Sequence, residues 1–344
     1  MILSLYSLLL LILIIAWNYN GIKKKRYNIV LFSIITLLIL LIIVITRDGS
    51  RLLDYDGYVK MFNNPYIRPV EKSFVVITEF IKNFSSLPIW LFSTYALISV
   101  SLKYFAIYRY SPFIFYSLAV WCGSFLLLQE MIQIRGAVAG SLLLCLIPLL
   151  YDKKYLISIV VILIAAWFHR SALSFVILLF INPINSRWRM WILLYIVMAI
   201  INILDLNIFQ MLGLNDILSA VKIIEGDHYD MGKKTDNLSL FAPYILLQTI
   251  TCFVCMYNSE KIKNSYPYGI ICIKICFIGI LFYSLPMGVI SLRIAELFST
   301  VFIFTYPLLL YCFKKRDIRF AKICVSIICI MILSNFIFLK GFIR

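Results

Sequence analysis

Apolar residues run through this chain in long blocks separated by short polar intervals, near 2–20, 28–46, 87–108, 112–129, 134–151, 155–168, 171–183, 191–206, 240–257, 267–286, 294–312 and 320–339. A helix rises 1.5 Å per residue, so a block of about 20 residues covers the roughly 30 Å of a bilayer's hydrocarbon. The backbone in that solvent must satisfy its own polar groups, and helices do so within one segment. The pattern therefore predicts an all-α, polytopic membrane protein of about twelve transmembrane helices. Segments six and seven are short enough to form one bent hairpin.

Composition agrees: 63% of residues are hydrophobic and the mean hydropathy is +0.97. No stretch reads as a soluble domain, so residues 1–344 form a single membrane domain. The first apolar block lacks a basic lead and a small-residue cleavage site, and is expected to stay as a helix. The densest basic run, Lys23-Lys24-Lys25-Arg26, faces the cytoplasm by the positive-inside rule, which places both termini outside. Counted from there, nearly the whole formal charge of +16 falls in inner loops. The basic excess is thus topogenic, and no nucleic-acid partner is expected. The nine cysteines all fall within apolar blocks and read as small fillers. Cys252-x-x-Cys255 has no second pair or nearby histidine, and neither a metal nor a cofactor is expected.

Two outer loops are long, about 47–87 and 207–239. The first carries Arg47, Asp48, Arg51, Asp54, Asp56, Arg68 and Glu71. Within it Phe74, Ile77, Phe80, Ile81 and Phe84 recur at helical spacing, opposite Lys72, Glu79, Lys82 and Asn83. That pattern predicts an amphipathic helix lying in the outer interface. The second loop holds Asp216, Glu225, Asp227, His228, Asp230 and Asp236, a composition that suits a solvated lid or a cation site.

Short outer turns are more telling. Gln129–Gly136, Trp167–Ser171 and Ser291–Glu296 each carry one arginine (Arg135, Arg170 and Arg293) and no lysine. One interfacial arginine has an ordinary use, snorkelling to lipid phosphate. With Arg51, however, four converge from separate loops on one face, and a guanidinium grips a phosphate oxygen pair in a fixed fork. Such a cluster suits a lipid-linked diphosphate, a leaving group available outside the cell without nucleotide or metal. A base must then take a proton from an attacking sugar hydroxyl. His169, between aromatic neighbours and Arg170, suits that role; Asp54 and Glu130 compete for it. Asp56, Tyr58, Glu71 and Glu296 are candidates for holding sugar hydroxyls or pairing with the arginines. Tyr55, Tyr66, Trp121 and Trp167 offer stacking faces. Gly136-x-x-x-Gly140 predicts a close helix contact that holds Arg135 near the centre of the bundle.

These residues resemble the Wzy-type O-antigen and exopolysaccharide polymerases, in particular the EpsG-like branch. The likeness lies in Arg51-Leu-Leu-Asp54-Tyr55-Asp56-Gly57-Tyr58 with Glu71-x-x-Phe74, in Arg135-Gly136-Ala137-Val138-Ala139 followed by Lys153-Lys154-Tyr155 and Phe168-His169-Arg170-Ser171-Ala172, and in Ser291-Leu292-Arg293-Ile294 with Pro307 and Lys314-Lys315-Arg316. The resemblance implies a GT-C-like helical bundle in the bacterial inner membrane. It also implies that the protein joins undecaprenyl-diphosphate-linked oligosaccharides at the periplasmic face, moving the chain as a block to the non-reducing end of an incoming unit, with a chain-length regulator as a possible partner. A flippase for the same lipid, a membrane acyltransferase or an O-antigen ligase is the alternative. A flippase generally shows related halves and charges deep in its spans. No internal repeat is visible here, and apart from Lys103, Asp205 and Lys274 the spans hold few charges.

Overall fold

The computed structural model describes residues 2–18, 27–47, 49, 52–67, 70–204, 240, 242–285 and 289–339, with only the backbone course at 27–33 and 339. Arg51, the basic run 23–26 and the second outer loop, 207–239, lie outside the described residues.

Helices form wherever the apolar blocks predict them, and no strand occurs among the described residues. In chain order they are α1 (Ile2–Asn18), α2 (Tyr27–Ile45), α3 (Tyr55–Asn63), α4 (Lys72–Lys82), α5 (Ile89–Tyr110), and α6 (Ile114–Val120), which continues as a π-helix over Trp121–Ile132. Next come α7 (Ile134–Tyr151), α8 (Tyr155–Phe168), a 3₁₀ helix (Arg170–Phe180), α9 (Trp188–Ile203), α10 (Pro243–Tyr257) and α11 (Ser259–Ser265). The chain ends in α12 (Gly269–Tyr283), α13 (Val289–Ser299), α14 (Phe302–Cys312) and α15 (Ile318–Ser334), the last running into a π-turn at Asn335–Leu339.

The chain is a polytopic helical membrane protein, and among the described residues fewer than the expected twelve stretches qualify as full spans. Among the described residues four helical stretches are long and apolar enough to cross a bilayer: Ile89–Tyr110, Ile114–Ile132, Ile134–Tyr151 and Lys315–Phe338. A fifth arises if α13 and α14, bent by 52°, count as one. Several of the others are shorter: the 15 residues of α10 or α12 rise only about 22 Å as straight α-helices, less than the hydrocarbon thickness. The hairpin expected at segments six and seven is present, with α8 packed on the 3₁₀ helix. Leu156, Leu163 and Phe180 on this hairpin are 79%, 58% and 83% exposed, an outward apolar surface that suits lipid rather than water.

Close contacts fix the bundle. Gly140 approaches Thr300, between α13 and α14, so tightly that a Cβ there would sit 2.8 Å from Thr300 Oγ1. Its partner in the expected motif, Gly136, has only ordinary contacts, the nearest at 3.7 Å. Gly123 against the Cys329 carbonyl and Gly279 against Phe298 make two more close approaches. At one end of the bundle the basic loops meet: Tyr266 donates to the Tyr110 carbonyl at 2.5 Å, and Lys261 donates to the Cys312 carbonyl at 3.3 Å. Lys274 snorkels to the Asn182 and Asn185 carbonyls at that end. All nine cysteines are free and at least half-buried, as fillers should be. The opposite end carries the arginine turns.

There α3 and α4 lie over α5 and α7 on a separate aromatic-rich core containing Tyr58, Phe62, Phe74, Phe92 and Tyr95. α4 is the expected amphipathic helix. It turns Phe74, Thr78 and Ile81 inward and leaves Val76, Phe80 and Phe84 exposed. Phe84 meets Phe80 and Trp90 edge-on, an aromatic group of the kind found at membrane interfaces.

Candidate active site

The arginine end is organised by one carboxylate. Glu71 sits immediately before α4, in extended backbone (φ −64°, ψ 143°), and is only 8% exposed. Arg135, in the first turn of α7, donates from Nη1 to Glu71 Oε2. His169 Nδ1 lies 3.3 Å from Glu71 Oε1, and the backbone N–H of Arg170 donates to that oxygen at 3.3 Å. Arg170 Nη2 also donates to the Val70 carbonyl at 3.3 Å. Three residues from separate elements thus meet on the loop before α4.

Local structure explains each placement. Arg135 lies across an aromatic bed, its guanidinium carbon 5.7 Å from the Tyr58 ring centre and 5.8 Å from that of Phe74, within cation–π range. His169 ends α8: its N–H closes the last turn on Ala165, its backbone turns extended at φ −152°, and its carbonyl accepts from Ala172 to start the 3₁₀ helix. That break puts His169 and Arg170 at the tip of the hairpin. Burial alone opposes ionising Glu71, but the Arg135 guanidinium and then His169 outweigh it and hold the carboxyl well below the usual carboxylate range. Burial pushes the neighbouring Tyr58 phenol up.

The other expected residues fall around this centre or away from it. Asp54 is exposed in left-handed backbone (φ 63°) and starts α3, its carbonyl accepting the Tyr58 N–H at 3.0 Å. Asp56 is exposed one residue into the helix. Tyr58, buried beneath Arg135, and Glu71, occupied by its ionic partners, are built into the cluster rather than presented at its surface. Arg293 is half-buried on α13, which packs against both α7 and the 3₁₀ helix. One turn further on, Glu296 accepts from Gln133 Nε2 at 2.9 Å, tying α13 to the turn that carries Arg135.

Glu130 is the clearest departure. It was expected on an exposed turn, but the π-helix extends through it and turns it into the bundle. Glu130 is 1% exposed and joined to Lys103 Nζ at 2.6 Å, and its Oε1 also faces Trp121 Nε1 at 3.2 Å. Lys103 also donates to Gln129 at 2.7 Å, and Gln129 Nε2 donates to Thr300 at 2.6 Å. Trp121 is wholly buried here and presents no stacking face. Arg47, past the end of α2, stands in the sequence as one charge among several in the first outer loop. It donates to the Glu130 carbonyl at 2.6 Å and the Met131 carbonyl at 3.2 Å, and covers the Phe92 ring at 4.3 Å. The available signal was Lys103 itself, since a charge inside a span needs a partner.

Residues 29–343 match the EpsG family. Comparison with curated proteins and with solved structures gives no match.

Proposed function

Because the chain belongs to the EpsG family, whose members are polysaccharide polymerase-like membrane proteins, we propose that it is a metal-independent glycosyltransferase joining undecaprenyl-diphosphate-linked oligosaccharide repeat units. The reaction runs at the periplasmic face of the bacterial inner membrane, in a helical bundle of the GT-C kind, with O-antigen or a related polysaccharide as product. The meeting of Arg135, His169 and Arg170 on Glu71 is the observation that carries this reading. Two guanidinium groups beside an imidazole at the hairpin tip are suited to a diphosphate and to the charge that develops as its bond to the anomeric carbon breaks. Arg293, on the adjoining helix, completes the grip; Arg51, outside the described residues, is assigned to it from the sequence alone.

His169 is the favoured base. With Nδ1 3.3 Å from Glu71 Oε1, a small turn of the ring lets the carboxylate hold that nitrogen's proton and leave Nε2 to accept one from the acceptor hydroxyl, as a buried carboxylate orients a catalytic imidazole elsewhere. Asp54, exposed at the head of α3, is the other candidate. Glu130, inside the bundle and matched to Lys103, serves as an anchor. In this scheme Asp56 contacts sugar from the surface, while Tyr58 and Glu71 set the position of Arg135.

The test is a chain-length profile in cells carrying Arg170→Ala or Arg293→Ala. Both should lose long polysaccharide, keep single-unit product on the final acceptor and keep normal protein levels. Normal chain length in both variants defeats the assignment. Units retained inside the cell would instead identify a flippase, and long chains stranded on the carrier lipid a ligase.

A further inference from the structure

Beside the arginine cluster, on the far side of Glu296, lies a cavity of about 140 Å³. The segment opening α10, one face of α13 and the π-turn at Asn335–Leu339 line it, together with Phe125 and Leu128 of the π-helix. A cavity of roughly 150 Å³ accepts benzene; a pyranose carries exocyclic groups beyond that size, so this cavity, open on one side, seats the face of one ring rather than enclosing it.

Its polar content distinguishes it from a packing defect. Tyr244, Tyr283, Glu296, Ser299 and Asn335 all line it. Asn335 Nδ2 is buried and makes no hydrogen bond among the described residues. Buried donors are rarely left unmade unless a ligand or water completes them. Glu296 is held by Gln133. Tyr244 and Phe336 pack together at 5.7 Å between ring centres and give the cavity an aromatic wall. An aromatic face, a carboxylate and an amide donor are complementary to a pyranose, which has an apolar C–H face and a rim of hydroxyls. An isoprenyl chain has no use for the carboxylate or the amide.

Resting on the polymerase reading above, we propose that this cavity is a subsite for one pyranose ring of the lipid-linked oligosaccharide, with Glu296 accepting and Asn335 donating hydrogen bonds to ring hydroxyls. Gln133 joins Glu296 to the turn that carries Arg135, so a sugar seated here is registered against the diphosphate grip two residues along.

Binding tests it. The full chain in nanodiscs is titrated with lipid-linked repeat unit extracted from its host, and separately with sugar-free undecaprenyl diphosphate, by tryptophan fluorescence. Asn335→Leu, which removes the donor at similar volume, and Ala242→Phe, which fills the cavity from its lining, should each weaken binding of the sugar-bearing lipid about tenfold, as expected for a lost hydrogen bond or a blocked site. Sugar-free carrier should bind all three proteins equally. If Asn335→Leu does not accumulate, the isosteric Glu296→Gln takes its place with the same expectation. Equal weakening for both lipids assigns the cavity to the prenyl chain and overturns the proposal, as does undiminished binding of the sugar-bearing lipid. Polymer formation by the wild type is read separately. A protein that binds the unit through this cavity yet makes no polymer would sink the polymerase reading and leave the sugar subsite standing.

Discussion

The Lys103–Glu130 pair gives a quantitative test of how the bundle is held and of which carboxylate is free for chemistry. Both side chains are completely buried and meet at 2.6 Å. Removing one charge strands the other without its counter-charge, at a cost of about 3–5 kcal/mol. Lys103→Met and Glu130→Leu should therefore each destabilise by that amount, and additive behaviour would predict a loss of about 6–10 kcal/mol for the double variant. Replacing a buried pair by apolar residues of similar size is often close to neutral. Here the double variant still leaves Gln129 Oε1 and Trp121 Nε1 without their partners, at about 1 kcal/mol or somewhat more each. A net loss of about 2–3 kcal/mol is expected, so the double variant should be more stable than either single variant or close to the better of them.

The assay is equilibrium unfolding of purified protein in mixed detergent, followed by helical circular dichroism, with membrane abundance as a second readout. Losses that simply add would refute a direct pair. The same double variant bears on mechanism. Because Glu130 lies apart from the Glu71 cluster, a folded double variant should still make long-chain polysaccharide. A folded but inactive one would return Glu130 to the candidate bases.

Three further outcomes are expected. Gly140→Leu should cost about 1–3 kcal/mol by overpacking against Thr300 and lower folded yield, whereas Gly136→Ala should melt like wild type; the reverse order would count against this contact. Arg47→Met removes two hydrogen bonds to the end of the π-helix and the cover over Phe92, so the melting temperature should fall by an amount equivalent to about 2–3 kcal/mol, with Arg47→Lys recovering only part because its ammonium lacks the flat guanidinium face that covers Phe92. The folded state lowers the Glu71 carboxyl from its ordinary value of 4.5. Its stabilising contribution is then complete above that pH and drains away as pH falls below it. Wild-type melting should drop more steeply than that of Glu71→Gln in acid, and parallel curves would disprove the linkage.

What could be read beforehand follows from which forces act locally. Hydrocarbon imposes its demand on each segment separately, so the boundaries of α7 and α8 coincide with the apolar blocks at 134–151 and 155–168. Helix type is another matter. The π-helix over Trp121–Ile132 and the 3₁₀ helix over Arg170–Phe180 carry no compositional mark, because wide and tight turns are selected by what packs around them. That is why Glu130, five residues before the visible Arg135-Gly136 signature, is expected on an outer turn and lies inside. Glu71 shows the limit more sharply. Its partners Arg135 and Arg170 stand 64 and 99 positions along the chain, so nothing near Glu71 announces that it will organise them. The outer turns supplied the inventory of arginines, histidine and acids; only the fold decides which acid faces which cation. That choice separates the roles. A carboxylate shared between a guanidinium and an imidazole at the end of the bundle is placed to orient a base, whereas one sealed against a lysine inside it is placed to hold helices together.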